Sequence, residues 1–160
     1  MKKNIILKGP VLTRSGYGEQ ARFALRCLRS REDLYNVFIQ PLSWGSTSRL
    51  SEPSEERTWI DQTIEKTISY IQQGGTFDTS LQVTIPNEFE ALAPINIGYT
   101  AGIETTRVAP EWLEISNQMN KLIVVSNHSK NIFLNSSAVA INKETNQKVD
   151  DYKIQIPVDV

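Results

Sequence analysis

Four short segments of this 160-residue chain carry side chains able to hold a polar ligand. Residues 10–18 are glycine-rich, and Gly16, Tyr17 and Gly18 lead into a helix start, where backbone N–H groups suit an anion such as a phosphate. Residues 86–90, Pro-Asn-Glu-Phe-Glu, offer Glu88. Residues 101–107 follow Thr100 and carry Glu104, Thr105, Thr106 and Arg107. Residues 126–130 carry Ser126 and the single histidine, His128. Carboxylate, hydroxyl, guanidinium and imidazole groups are thereby gathered in four places. Each also has a structural reading. Gly16 and Gly18 can serve a tight turn. Glu88 and Glu104 can be caps or surface carboxylates, and Arg107 can pair with either. Ser126 can cap a helix, and His128 can be a structural residue at that helix start. No one residue decides between the two; a common location does.

The elements that must position these segments alternate along the chain. Strands are expected at residues 4–8, 36–40, 81–85, 95–100, 122–125 and 153–156, most of them short apolar runs stopped by Gly or Pro. Helices are expected between them. The first covers residues 19–29, with Ala21, Ala24, Leu25 and Leu28 on one face of a 3.6-residue period. The second covers residues 55–72, with Ile60, Ile64, Ile68 and Ile71 on one side and Gly74-Gly75 ending it. A third opens at Pro110 with Trp112, Ile115 and Met119 as its buried stripe. A fourth covers residues 129–135, with Ser126-Asn127 as its capping pair. Residues 43–54 and 142–151 read as polar loops. Strands alternating with helices imply βαβ units, hence a Rossmann-like three-layer α/β/α domain with a mainly parallel sheet. In such sheets ligands bind beyond the C-terminal ends of the strands, and that edge is where all four segments fall.

Bulk properties narrow the function classes. The chain is 39% hydrophobic and 22% charged, as for a soluble globular protein, and its length suits one domain spanning residues 1–160. A net charge of -1 gives no basic excess for nucleic acid. The apolar run after Lys2-Lys3 is cut at Lys8-Gly9, too short for a signal peptide or a transmembrane segment. Cys27 is the only cysteine, which excludes an intrachain disulfide and fits a cytoplasmic location. Residues 16–21 match the dinucleotide pattern G-x-G-x-x-A. Gly16, however, lies eight residues past Lys8, and the second strand ends on Gln40-Pro41 rather than on an acidic residue. Both supports of a dehydrogenase reading are therefore missing. No Gly-x-Ser-x-Gly elbow marks a hydrolase.

At these same segments the sequence resembles the N-terminal domain of the group 1 (family 4) retaining glycosyltransferases, which have the GT-B fold. Gly9-Pro10, Ser15-Gly16-Tyr17-Gly18 and Arg22 are similar to that family's first loop and helix. The longest match runs from Asn96 to Arg107, where the family has a "Y-T-x-x-E-(S/T)" strand end, and on through Pro110-Glu111-Trp112. It continues with Asn117-Gln118-Met119-Asn120, Val124-Val125-Ser126, Lys130 and Phe133. Ile154-Gln155-Ile156-Pro157-Val158-Asp159 resembles the segment preceding the family's second domain. Residues 43–75 contribute nothing to the likeness. The chain departs from the family at Gly102 and Glu104, near a frequent histidine, at Asn120 for aspartate, at Val125 for proline, and at His128 for an aromatic residue.

The resemblance implies an enzyme that moves a sugar from a nucleotide-sugar donor to a carbohydrate or other hydroxyl acceptor, with no metal and no cofactor. Gly16, Tyr17 and Gly18 would flank the donor phosphates. Glu88, Thr100, Glu104, Arg107, Ser126 and His128 would bind the acceptor, with Glu104 the best candidate for a catalytic group. The donor-binding domain is expected outside these residues, in cis or on a partner chain. Catalysis needs both substrates held together, so the acceptor half is expected to be inactive by itself. The alternative is a non-enzymatic carbohydrate- or nucleotide-binding α/β module.

Overall fold

Ile5, Ile6 and Leu7 are consecutive, and side chains alternate along a strand, so a strand built from them has to be covered on both faces. The computed structural model describes residues 1–44, 47–102, 105–141 and 145–160. In it the three residues lie in β1 (Lys3–Gly9), and all are buried. Then follow α1 (Gly16–Arg29), β2 (Tyr35–Pro41), α2 (Glu55–Gln72), β3 (Thr79–Val83), a single 3₁₀ turn over Pro86–Glu88 and β4 (Ile95–Thr100). The remainder is α3 (Pro110–Ser116), β5 (Lys121–Val124), α4 (Asn127–Asn135), β6 (Ala138–Ile141), β7 (Lys148–Tyr152) and β8 (Val158–Asp159). Six strands form a sheet in the order β2-β1-β3-β4-β5-β8, and β6 pairs with β7 in a hairpin. β1–β2, β1–β3, β4–β5 and β5–β8 all pair in parallel. The fold is α/β and Rossmann-like, as the alternation predicts. Its residues fall into two compact units, residues 1–84 with 92–96, and residues 85–91 with 97–160.

In the first unit, Ser15 caps α1 by accepting from the Gly18 amide, so the helix begins three residues before the predicted Glu19. Its inward face carries Ala21, Ala24 and Leu25 as expected, and also Arg22. The ends of α2 fall where predicted, but its stripe does not. Ile68 and Ile71 are more than half exposed, while Ile60, Thr63 and Thr67 are buried. The threonines win this face by hydrogen bonding. Thr67 Oγ1 accepts from the Ile39 amide at 2.9 Å and donates to the Thr63 carbonyl at 2.7 Å. An isoleucine cannot satisfy a strand N–H left over at that position.

In the second unit, Leu113, Leu122, Val124 and Phe133 are the deepest members of a cluster that also contains Phe89 and Val158. Gly98 lets Phe89 lie on β4, since a Cβ there would stand 2.5 Å from the Phe89 ring. Helix α3 is a short helix whose buried residues are Leu113 and Ser116, not the expected Trp112–Ile115–Met119 line. Trp112 and Ile115 pack half-buried against the cluster, and Met119 is buried just past the helix end.

Two expectations near the C-terminus are corrected. Residues 142–151, read as a loop, contribute β7. That strand is almost wholly exposed, so it pairs through its backbone without an inward apolar stripe to betray it. Residues 153–156, read as a strand, are not one. Asn117 takes the place of a ladder partner: its Nδ2 donates to the Lys153 carbonyl at 3.0 Å, and its Oδ1 accepts from the Gln155 amide at 2.7 Å. The last strand is Val158–Asp159.

Candidate functional site

The order β2-β1-β3 reverses direction across β1, and in open α/β sheets the crevice beyond the strand ends at such a reversal is the usual ligand site. The glycine-rich segment leaves β1 at that point. It is tied down by its own groups. Thr13 Oγ1 donates to the Pro10 carbonyl at 2.9 Å and lies 2.8 Å from Ser15 Oγ, which accepts from the Gly18 amide at 3.0 Å. Beneath it runs Arg22, 1% exposed, whose Nη1 donates to the Val11 and Thr13 carbonyls, both at 2.8 Å. Its Nη2 reaches Glu19 at 2.6 Å. A buried guanidinium shared between two carbonyls and a carboxylate is satisfied, and it fixes the loop.

The two loop glycines then differ sharply. A Cβ on Gly18 would stand 2.2 Å from the Thr13 carbonyl oxygen, so its small size is demanded by packing. A Cβ on Gly16 would meet nothing within 4 Å, and Gly16 does not have the positive φ that favours glycine. It borders an open volume of about 480 Å³ together with Arg14, Ser15, Glu19 and Glu52. Arg14 pairs with Glu52 at 2.9 Å, both well exposed. Tyr17, the residue between the glycines, stands edge-on to Trp44 at 5.1 Å.

The remaining predicted site residues sit in the second unit. Thr100 is fully buried at the end of β4. Beyond it, Gly102 has φ +81°, and a Cβ there would approach Ser129 Oγ to 2.8 Å. Ser129 Oγ donates to the Ala101 carbonyl at 3.0 Å, and Ser126 Oγ accepts from the Ser129 amide at 3.1 Å. The structure therefore joins the end of β4 to the start of α4 through Ser126 and Ser129, with Ser126 as the N-cap. Glu88 closes the 3₁₀ turn and is half-buried. Trp112 Nε1 donates to Asn87 Oδ1 beside it. Arg107 and His128 are exposed. Glu104 lies outside the described residues. Among those described, no group of three or more His, Cys, Asp or Glu is placed to hold a metal ion, and no helix is long and apolar enough to cross a membrane.

No family model, curated protein or solved structure matches this chain.

One concavity was not anticipated. The end of β2, residues 42–44, 47 and 49 and the first turns of α2 line a cavity of about 480 Å³ in the first unit. Its walls include Leu42, Ser43, Trp44, Arg49, Arg57 and Asp61. Arg57 Nε meets both Asp61 oxygens, at 3.0 and 2.9 Å, and its Nη1 donates to the Leu50 carbonyl. An Arg and an Asp four apart in an expected helix signal this pair, but its partners on the loop come from sequence positions no periodicity connects.

Proposed function

We propose that this chain is the acceptor-side domain of a GT-B glycosyltransferase that moves a sugar from a nucleotide-sugar donor to a hydroxyl acceptor. The observation that carries the reading is Gly16. It stands at the C-terminal edge of the sheet beside the strand-order reversal, on the first turn of a capped helix, facing open volume. The fold does not require a glycine there, whereas a diphosphate approaching the backbone does. In the transfer, the bond from the anomeric carbon to the diphosphate breaks and a bond to the acceptor oxygen forms. The acceptor proton leaves to a base, and negative charge grows on the departing diphosphate. The positive end of the α1 dipole suits that charge, with the Gly18 N–H itself held by Ser15 Oγ. Glu88, Arg107 and His128, with Thr100 and Glu104, remain the candidate acceptor contacts in this reading, and Ser126 caps the helix that carries His128. Donor binding is completed in this reading by a further domain in cis or on a partner.

The test is a ¹H–¹⁵N NMR titration with UDP-glucose and GDP-mannose. Shifts confined to the Gly16, Tyr17 and Gly18 amides are expected. Gly16→Val should weaken that binding at least about tenfold by blocking backbone approach, without lowering the melting temperature. Binding unaffected by Gly16→Val, or absent for both donors, would reject the reading.

A further inference from the structure

The cavity between β2 and α2 has a wall chemistry that selects among ligands. We infer that it is a saccharide subsite that takes an uncharged pyranose ring, separate from the donor and acceptor contacts of the proposed function. All its residues lie within the first unit.

Size comes first. At about 480 Å³ the cavity lies within the range of about 300–1,000 Å³ typical of small-molecule sites. Charge comes second. The lining holds two guanidiniums, Arg49 and Arg57, and two carboxylates, Asp61 and Glu65. Arg57 gives its Nε to Asp61 and its Nη1 to the Leu50 carbonyl, so its charge is already balanced within the wall. A phosphate or sugar acid entering here would face two carboxylates with Arg49 as its counter-ion. A neutral ligand meets no such opposition.

Hydrogen-bonding capacity is third. Asp61 remains 45% exposed, and a carboxylate accepting from one Nε–H has lone pairs left for hydroxyl donors. The Arg49 guanidinium reaches Ser43 Oγ at 3.4 Å, the long end of a hydrogen bond, so a ligand hydroxyl can displace that contact. Both groups also have the planar, multi-pronged geometry that reads adjacent hydroxyls. Finally, the cavity has an apolar side made by Leu42, Ile64 and Trp44. The indole stands edge-on to Tyr17, with ring centroids 5.1 Å apart. A pyranose, with hydroxyls on its rim and C–H bonds on its faces, matches one polar and one apolar wall. An inorganic anion would leave the apolar wall unmatched.

The test uses the whole 160-residue chain. Three indole N–H signals are expected from its three tryptophans, and Trp44→Phe assigns the one of interest. The probes are the methyl α-glycosides of glucose, mannose and galactose, with glucose 6-phosphate as the charged counterpart. At least one neutral glycoside should move the Trp44 signal in the millimolar range, with glucose 6-phosphate weaker. Arg49→Met and Asp61→Asn should each weaken it about tenfold, the loss of one charge-assisted hydrogen bond. The Arg49→Met variant leaves the α2 ion pair intact, so it decides the matter even if Asp61→Asn perturbs the helix. Silence from all three glycosides, tighter binding of glucose 6-phosphate, or undiminished binding by folded Arg49→Met would overturn the inference. Donor binding is read separately at the Gly16–Gly18 amides. A loop response without a Trp44 response removes this subsite and leaves the proposed function standing. A Trp44 response without a loop response keeps the subsite and removes the glycosyltransferase reading.

Discussion

Gly16 and Gly18 stand two residues apart in one loop, and replacing each with alanine should have opposite effects. At Gly16 an added methyl group meets no atom within 4 Å, and alanine is the better helix former at the start of α1. Gly16→Ala should therefore raise stability by about 0.5 kcal/mol, chiefly by restricting the unfolded chain. At Gly18 the same methyl group would overlap the Thr13 carbonyl, which Arg22 already holds in place. The loop cannot yield without breaking that bond, so Gly18→Ala should cost about 2 kcal/mol or more. Urea denaturation of both variants checks the pair, and equal effects would contradict this account of the loop. The sequence marks both residues as glycines in a turn and cannot separate them, because the distinction lies in where the Thr13 carbonyl points. Ser126 is the converse case. Its capping role was legible, since a serine before a helical run has a local reason to be there.

Helix α2 illustrates what periodicity can and cannot give at the scale of an element. Its C-terminal end was legible from the glycine pair, but only the first half of its isoleucine stripe is buried or half-buried. Ile60, Ile64, Ile68 and Ile71 are a valid helical line, but beyond Ile60 the buried face turns to Thr63 and Thr67, where Thr67 meets the Ile39 amide on β2. Thr67→Val should leave that buried N–H without a partner and cost about 1–3 kcal/mol. Ile68→Ser, on the exposed side, should change stability by no more than about 0.5 kcal/mol. Thermal melts of the two variants distinguish the faces. A second link ties α1 to α2, where Arg26 grips both Glu56 oxygens at 2.6 and 2.9 Å. That hydrogen-bonded pairing holds the Glu56 carboxyl below its ordinary value of 4.5, against a smaller opposing effect of burial. A carboxyl whose folded pKa is depressed adds stability above its unfolded pKa and loses it as the pH falls through the folded one. Glu56→Gln should thus cost about 0.5 kcal/mol at neutral pH, given partial exposure and salt screening. The difference between mutant and parent urea midpoints should vanish as the pH is taken well below 4.5. A difference that persists in acid would assign the contact to packing rather than charge.

Across the whole molecule, the α/β class was legible because β1, β2 and β5 each carry an apolar run and helical patterns fall between the strands. The hairpin was not, because a strand that buries nothing leaves no pattern to read. That contrast predicts how stability is distributed. β1 buries five consecutive residues and β2 buries three, so opening them exposes much apolar surface and approaches global unfolding. β7 is exposed at four of its five positions, and its partner β6 contains Val139 and Ile141, both more than half exposed. Opening that hairpin removes little from the core and breaks mainly solvated backbone bonds. Amide exchange should therefore be slowest in β1 and β2, and fastest, among the strands, in β6 and β7. In a hydrogen–deuterium exchange time course the hairpin amides should reach full exchange while residues 5–9 and 37–39 remain protected. Equal protection would mean that the exposed Val139 and Ile141 side of the hairpin is covered in solution by something other than water.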